Sequence, residues 1–263
     1  MSKIIGLIVV IIIAAGAGWI IYNDASRNAE TDFGDFISEY STDNSTDSFE
    51  DNTSDKVEIL LVDKPSVSLP ELKHLLQFPQ NFTDDMRDIT TDRIVKLNEE
   101  LTLDPTSFAN WLALAIQRKL INDFEGARDI WEYLNIIYPK NSISFHNLGD
   151  LHHFYLKDYP KSEENFKKAI ENSPNNVSYY INLHELYKYS YKKDTTLAID
   201  ALLDGLKVNP GSTDLLVALA VYYKEAGDNI NAKKYYQQAR NKAQEFENDK
   251  LVELLNTEIE NLQ

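Results

Sequence analysis

Four prolines, Pro105, Pro139, Pro174 and Pro210, recur every 34 to 36 residues. Ahead of the last three stand Asp123, Asp158 and Asp194, each followed four residues later by a small residue: Ala127, Ser162 or Ala198. Asp228 and Ala232 open a further copy that lacks the closing proline. A period of this length predicts stacked helical hairpins, because one hairpin cannot bury its apolar face without a neighbour. The expected fold is all-α, a right-handed α-solenoid of about four hairpins over 106–244 with flanking helices. Stacks of this kind serve mostly as binding surfaces.

Composition narrows the functional classes. The chain of 263 residues has no cysteine, which removes disulfides, thiolate metal sites and a cysteine nucleophile. Its net charge is −16, and ten acids stand against one base between Asp24 and Asp55. The remainder is acidic as well, so the counterion-release drive for nucleic-acid binding is missing and nucleic acid is not an expected partner.

After a tail of residues 1–3, Ile4 to Tyr22 carries no charge and is rich in Ile, Val, Leu, Ala and Gly. As a helix it would be roughly 29 Å long, about the thickness of the hydrocarbon core. Trp19 and Tyr22 fall at its end, where amphipathic aromatics favour the headgroup level. Ala15-Gly16-Ala17 has the spacing of a signal-peptide cleavage site. The apolar run continues through Trp19-Ile20-Ile21-Tyr22, which favours an uncleaved transmembrane helix over 4–22. Lys3 before the span, with only Arg27 close behind it, expects a cytoplasmic N-terminus and an extracytoplasmic repeat domain.

Residues 23–56, dominated by Ser, Thr, Asp and Asn, are expected to form a disordered acidic linker. In the flanking segment 57–105, Val57 to Val62 is a short apolar run. Ser68-Leu69-Pro70-Glu71 reads as a capping box opening a short helix through about Gln77. A second helix, about Asp84 to Leu101, places Ile94, Leu97 and Leu101 on one face, like the second half of a repeat at the front of the stack. Behind the repeats, Leu251, Leu254, Leu255, Ile259 and Leu262 space as an amphipathic capping helix within 245–263.

The repeats align position by position. The first reads Trp111, Leu114, Ala115, Arg118, then Ala127, Trp131, Leu134, Pro139; the second Phe145, Leu148, Gly149, His152, then Ser162, Phe166, Ala169, Pro174. The third reads Tyr180, Leu183, His184, Tyr187, then Ala198, Leu202, Gly205, Pro210; the fourth Leu216, Leu219, Ala220, Tyr223, then Ala232, Tyr236, Ala239. This pattern resembles the tetratricopeptide repeat, whose Trp, Leu, Gly, Tyr, then Ala, Phe, Ala, Pro have the same offsets. Ala115, Gly149 and Ala220 are small where two helices cross. Trp131, Phe166 and Tyr236 fill the grooves, and the aspartates suit N-caps of the second helices. His184 breaks the rule in the third repeat, so its imidazole needs a partner. From the small residue to the capping Asp there are eight residues in repeats one and four, nine in repeat two and ten in repeat three. The additions are expected in the turns between paired helices, with Tyr189 to Lys193 as the longest, protruding turn.

The resemblance implies that the first helix of each pair lines a concave groove that takes a protein or peptide partner. Carried onto this chain, that groove comprises Leu112, Ile116 and Lys119; His146, Asn147, Asp150 and His153; Ile181, Asn182, Glu185 and Lys188; and Asp214, Val217, Val221 and Lys224. The equivalent Asn147 and Asn182 suit an extended peptide backbone. The family's carboxylate clamp is missing, since Leu112 and Ile116 stand in its first helix. His146, Asp150 and His153 at i, i+4 and i+7 share a face and with Glu185 form a candidate metal set. No phosphate loop, nucleophile elbow or catalytic carboxylate pair is found. The expected function is a membrane-tethered scaffold, not an enzyme, with no cofactor. The alternative is an extracytoplasmic metal- or small-ligand-binding domain.

Overall fold

The structure, a computed structural model, describes residues 67–193 and 195–262. The apolar span 4–22, the linker 23–56, the run Val57–Val62 and the expected cap Asp194 lie outside the described residues. Among the described residues there are ten α-helices and no strand, and no helix is long and apolar enough to cross a membrane.

Helix α1 spans Asp84–Leu103 and packs on α2, Phe108–Leu120, which pairs with α3, Phe124–Ile137. The second hairpin joins α4, Ser142–Leu151, to α5, Tyr159–Asn172. The third joins α6, Val177–Glu185, to α7, Leu197–Val208, and the fourth α8, Thr213–Glu225, to α9, Asn229–Glu245. Helix α10, Asp249–Glu260, closes the stack by packing on α9.

The sequence signals work locally as expected. Oδ1 of Asp123, Asp158 and Asp228 accepts from the amides of Gly126, Lys161 and Asn231 at 3.0, 3.3 and 3.0 Å. Each caps amides that have no partner inside their own helix. The residue before each of these caps turns left-handed: Asn122, Lys157 and Gly227 have φ of 65°, 57° and 76°. The second helices end at Ile137, Asn172 and Val208, two residues before their prolines.

Packing follows the small-to-large rule at three of the four crossings. Ala115, Ala220, Trp131, Phe166 and Tyr236 are fully buried. A Cβ on Gly149 would lie 2.6 Å from Cδ1 of Phe166, so backbone and ring already touch there. At the third crossing His184 is buried, and its Nδ1 lies 2.8 Å from the Ala198 carbonyl, which supplies the partner its size demanded.

Two expectations are corrected. The extra residues of repeats two and three do not lengthen the turns alone. They are taken up by π-helical turns, His152–Leu156 and Leu186–Ser190, that prolong the first helix of each pair. A wider i→i+5 turn absorbs an added residue without breaking the helix, as in the Tyr191 amide donating to the Leu186 carbonyl at 2.8 Å. The supposed protruding turn is thereby pinned: Tyr191 is half-buried and Lys192 pairs with Glu163 at 2.7 Å. The expected helix from Ser68 to Gln77 does not form. That segment runs without secondary structure, because a distant side chain claims its carbonyls: Arg118 Nη2 donates to Glu71 O at 2.6 Å and Leu72 O at 3.1 Å.

One crowded and one open glycine give a paired test. Gly149→Ala is expected to destabilise the fold by about 1–3 kcal/mol through overpacking against Phe166. Gly211, with open space around it and ordinary φ, is expected to gain about 0.4–1 kcal/mol on replacement by Ala. Urea midpoints that move the two variants the same way would contradict this packing.

Candidate functional site

Leu112 and His153 are buried, Asp214 is exposed, and the other groove residues are half-buried. A chain of polar contacts runs across the first helices, each link joining positions about one repeat apart. Lys119 Nζ of α2 lies 4.0 Å from Asp150 Oδ2 of α4. Asn182 of α6 turns its amide nitrogen back to α4, donating to His146 Nε2 at 2.6 Å and approaching Asp150 Oδ1 at 3.5 Å. Lys188, in the π turn after α6, pairs with Glu225 of α8. Lys224 of α8 pairs with Glu258 of the capping helix at 2.6 Å. Four consecutive first helices and the cap are thus tied together along one face.

Aromatic rings pad the cations of this ladder. Lys119 lies 5.3 Å from the Tyr155 ring centroid, and Lys188 sits 5.1 Å and 5.4 Å from those of Tyr189 and Tyr222. Sequence reasoning missed Glu225, Glu258, Tyr155 and Tyr222. The signal that finds the two acids is simple: Glu225 stands 37 residues after Lys188, and Glu258 34 after Lys224, which is one repeat. Asn147 takes no part in the ladder, whereas the equivalent Asn182 does.

The candidate metal set does not converge. His146 Nε2 faces Asn182, while His153 Nε2 lies 2.8 Å from Ser190 Oγ in the second π turn. Among the described residues no group of three His, Asp or Glu is placed to hold a metal ion. The His146 ring instead lies 4.7 Å from Tyr179 and 5.8 Å from Phe166, as a packed aromatic would. His152 is buried, and neither of its ring nitrogens has a hydrogen-bond partner among the described residues. It sits at the position where the resemblance expects a tyrosine, as a packing residue.

Paired helices of one period, a small residue at three of the four crossings and an Asp cap on the second helix of hairpins one, two and four define the hairpins. The family model described as tetratricopeptide repeat matches residues 143–176 and 213–239. The chain carries tetratricopeptide repeats at these residues. Similar solved structures include MamA, at 18% identity over 64% of this chain and 98% of that one, with a TM-score of 0.49. PilF of Pseudomonas aeruginosa is also 18% identical, over 67% of this chain and 85% of its own, with a TM-score of 0.49. YrrB, described as a TPR protein with an unusual peptide-binding site, is 12% identical over 64% and 92%, with a TM-score of 0.44. A curated relative, the mRNA 3'-end-processing protein rna-14 of Neurospora crassa, is 29% identical over 85 residues. That match spans 32% of this chain and only 7% of the relative's length.

The groove and the third crossing hold titratable groups far from their ordinary values. Burial, reinforced by the nearby Asp150 carboxylate and opposed by Lys188, raises Glu185 to about 7. Burial lowers His153 to about 4 against the opposing pull of Asp150. It lowers His184 to about 4 despite the hydrogen bond that the ring donates to the Ala198 carbonyl. His146 is lowered too, again chiefly by burial. Around neutral pH the groove histidines therefore act as uncharged hydrogen-bonding and packing groups.

These shifts have opposite signs for stability. Between about pH 6.5 and 4 the unfolded chain protonates His153 and His184 while the folded one does not, so stability falls as pH falls. Glu185 is protonated in the folded chain below about 7 but in the unfolded chain only near 4.5, so it offsets part of that loss. Glu185→Gln is expected to steepen the acid decline between pH 6.5 and 4.5 by about one proton's worth of slope, and His153→Gln to flatten it by about as much. Urea melts at several pH values measure both, and parallel profiles for the wild type and the two variants would contradict the assignment.

Proposed function

We propose that the repeats form a protein-interaction scaffold that takes an extended segment of a protein or peptide partner along the concave face. The ladder joining successive first helices carries this reading. It fixes the spacing of the groove before a partner arrives, so less ordering cost is left to the binding step. Between its polar links lie the half-buried apolar side chains Ile116, Ile181, Val217 and Val221, which offer the surface that association would bury. The reading includes no catalysis and no cofactor: an open groove of paired side chains is suited to holding a ligand rather than excluding water around a reaction.

We further propose that Ile4 to Tyr22 anchors the scaffold in a membrane and that the acidic stretch to Asp55 spaces the repeats from its surface. The length of the uncharged run and its terminal aromatics support the anchor, and Lys3 supports a cytoplasmic N-terminus with extracytoplasmic repeats.

Affinity capture with residues 57–263, compared with an Asn147→Ala/Asn182→Ala/Ile181→Arg variant of unchanged melting temperature, tests the groove. Partner recovery is expected to drop about tenfold, about 1.4 kcal/mol. Equal recovery would place the partner on another surface. For the topology, protease added to intact cells whose outer barrier is permeable to it is expected to digest the repeats. Digestion confined to lysed cells would reverse the orientation.

A further inference from the structure

The first hairpin departs from its siblings at two positions, and both meet at the segment that precedes α1. Where the later hairpins carry His152, Tyr187 and Tyr223, this one has Arg118, only 2% exposed. Where they carry Lys161, Leu197 and Asn231, it has Gly126. A Cβ there would lie 2.5 Å from Arg118 Nη1 and closer still to the Asp123 carboxylate, so the glycine leaves room for both groups.

What they receive is a length of main chain. Arg118 Nη2 donates to the consecutive carbonyls of Glu71 and Leu72. Asp123 Oδ1 caps α3, while Oδ2 lies 3.0 Å from His74 Nδ1 and 3.7 Å from Arg118 Nε. Along this strap exposure alternates residue by residue: Leu72, His74, Leu76 and Phe78 are half-buried, and Glu71, Lys73, Leu75 and Gln77 are exposed. A period of two is that of an extended chain with one face down. Backbone carbonyls read by a fixed fork, alternate apolar side chains and one basic group facing a carboxylate are the elements of extended-peptide recognition.

We propose that the outer side of the first hairpin is a second peptide-binding surface, separate from the concave groove, and that the chain's own strap is its resident ligand. The partner it fits is an extended segment with apolar residues at alternate positions and a histidine or other basic side chain opposite Asp123. Occupancy by the strap is incomplete, since Arg118 Nη1 is buried with no acceptor among the described residues. A buried donor left unmade carries a free-energy cost. A competing segment that supplies an acceptor to that nitrogen therefore has an advantage over the strap.

The test uses the full chain in detergent and a fluorescein-labelled peptide of residues 67–80 as the probe. Leu72→Asp with Leu76→Asp loosens the strap, and Arg118→Lys keeps the charge but removes the fork. The wild type is expected to bind the probe at least tenfold more weakly than the strap-loosened chain, by fluorescence anisotropy. Adding Arg118→Lys to the loosened chain, or His74→Ala to the probe, is expected to abolish the gain. Circular-dichroism melting decides the case of poor folding: a strap-loosened chain without a cooperative transition would make the strap an integral part of the fold and overturn the proposal. So would a well-folded strap-loosened chain that ignores the probe, or binding indifferent to Arg118→Lys.

Discussion

The close crossing of the two helices in each hairpin is the constraint on which the rest depends. A small residue on the first helix lets the second approach until a large side chain from it fills the gap, as Gly149 and Phe166 do. That approach sets which faces of the pair remain for the next pair, and its repetition stacks hairpins in one direction. The rule tolerates an exception only when its polar cost is met. His184 is bulky where its equivalents are small, yet its ring nitrogen reaches the Ala198 carbonyl. In the second hairpin the equivalent of Ala198 is Ser162, whose hydroxyl donates across the same crossing to the Gly149 carbonyl at 2.8 Å. One crossing is thus bridged from the first helix and the other from the second.

Two seams then join hairpin to hairpin. One follows the proline turns, where carbonyls at helix ends lack intrahelical partners. Trp111 Nε1 donates to Pro105 O, Tyr138 Oη to Thr106 O, Asn172 Nδ2 to Pro139 O and Tyr180 Oη to Pro174 O, all between 2.9 and 3.0 Å. The other is the ladder across the first helices. Because the π turns prolong the first helices, they carry side chains into that second seam: His153 of one meets Ser190 of the other, and Lys188 reaches Glu225. The added residues of repeats two and three therefore contribute to inter-repeat contact rather than to loose loops.

The parts legible in the sequence were those in which one residue type answers one local need. Proline stops, aspartate caps and small residues at crossings stand at fixed offsets, so four copies in register place the helices. The count of extra residues was legible too, but not where the backbone absorbs them, because a π turn differs from a longer loop only in hydrogen bonding. The strap shows a different limit. Ser68 to Glu71 carries a sound local helix signal, and a guanidinium 46 or 47 residues away overrides it by taking the carbonyls a helix would need. In the groove, the resemblance pointed to a face and to candidate residues on it. It left out which of their polar atoms would already be engaged with one another, because that depends on rotamers across neighbouring repeats.

That engagement decides what the groove can offer a partner. A ligand group that bonds Asn182 must displace His146 or share its donor, and one that binds Lys188 or Lys224 competes with Glu225 or Glu258. Exchanging one hydrogen bond for another yields little net free energy, whereas covering apolar surface has no such counterpart to replace. Affinity at this face would therefore rest on Ile116, Ile181, Val217 and Val221. The polar ladder would act mainly on register and selectivity, penalising a segment that breaks a link without restoring it. Glu185 belongs to neither class. Its carboxyl is raised to about 7 by burial and by Asp150, so a cationic side chain placed beside it would shift it toward its ionised form.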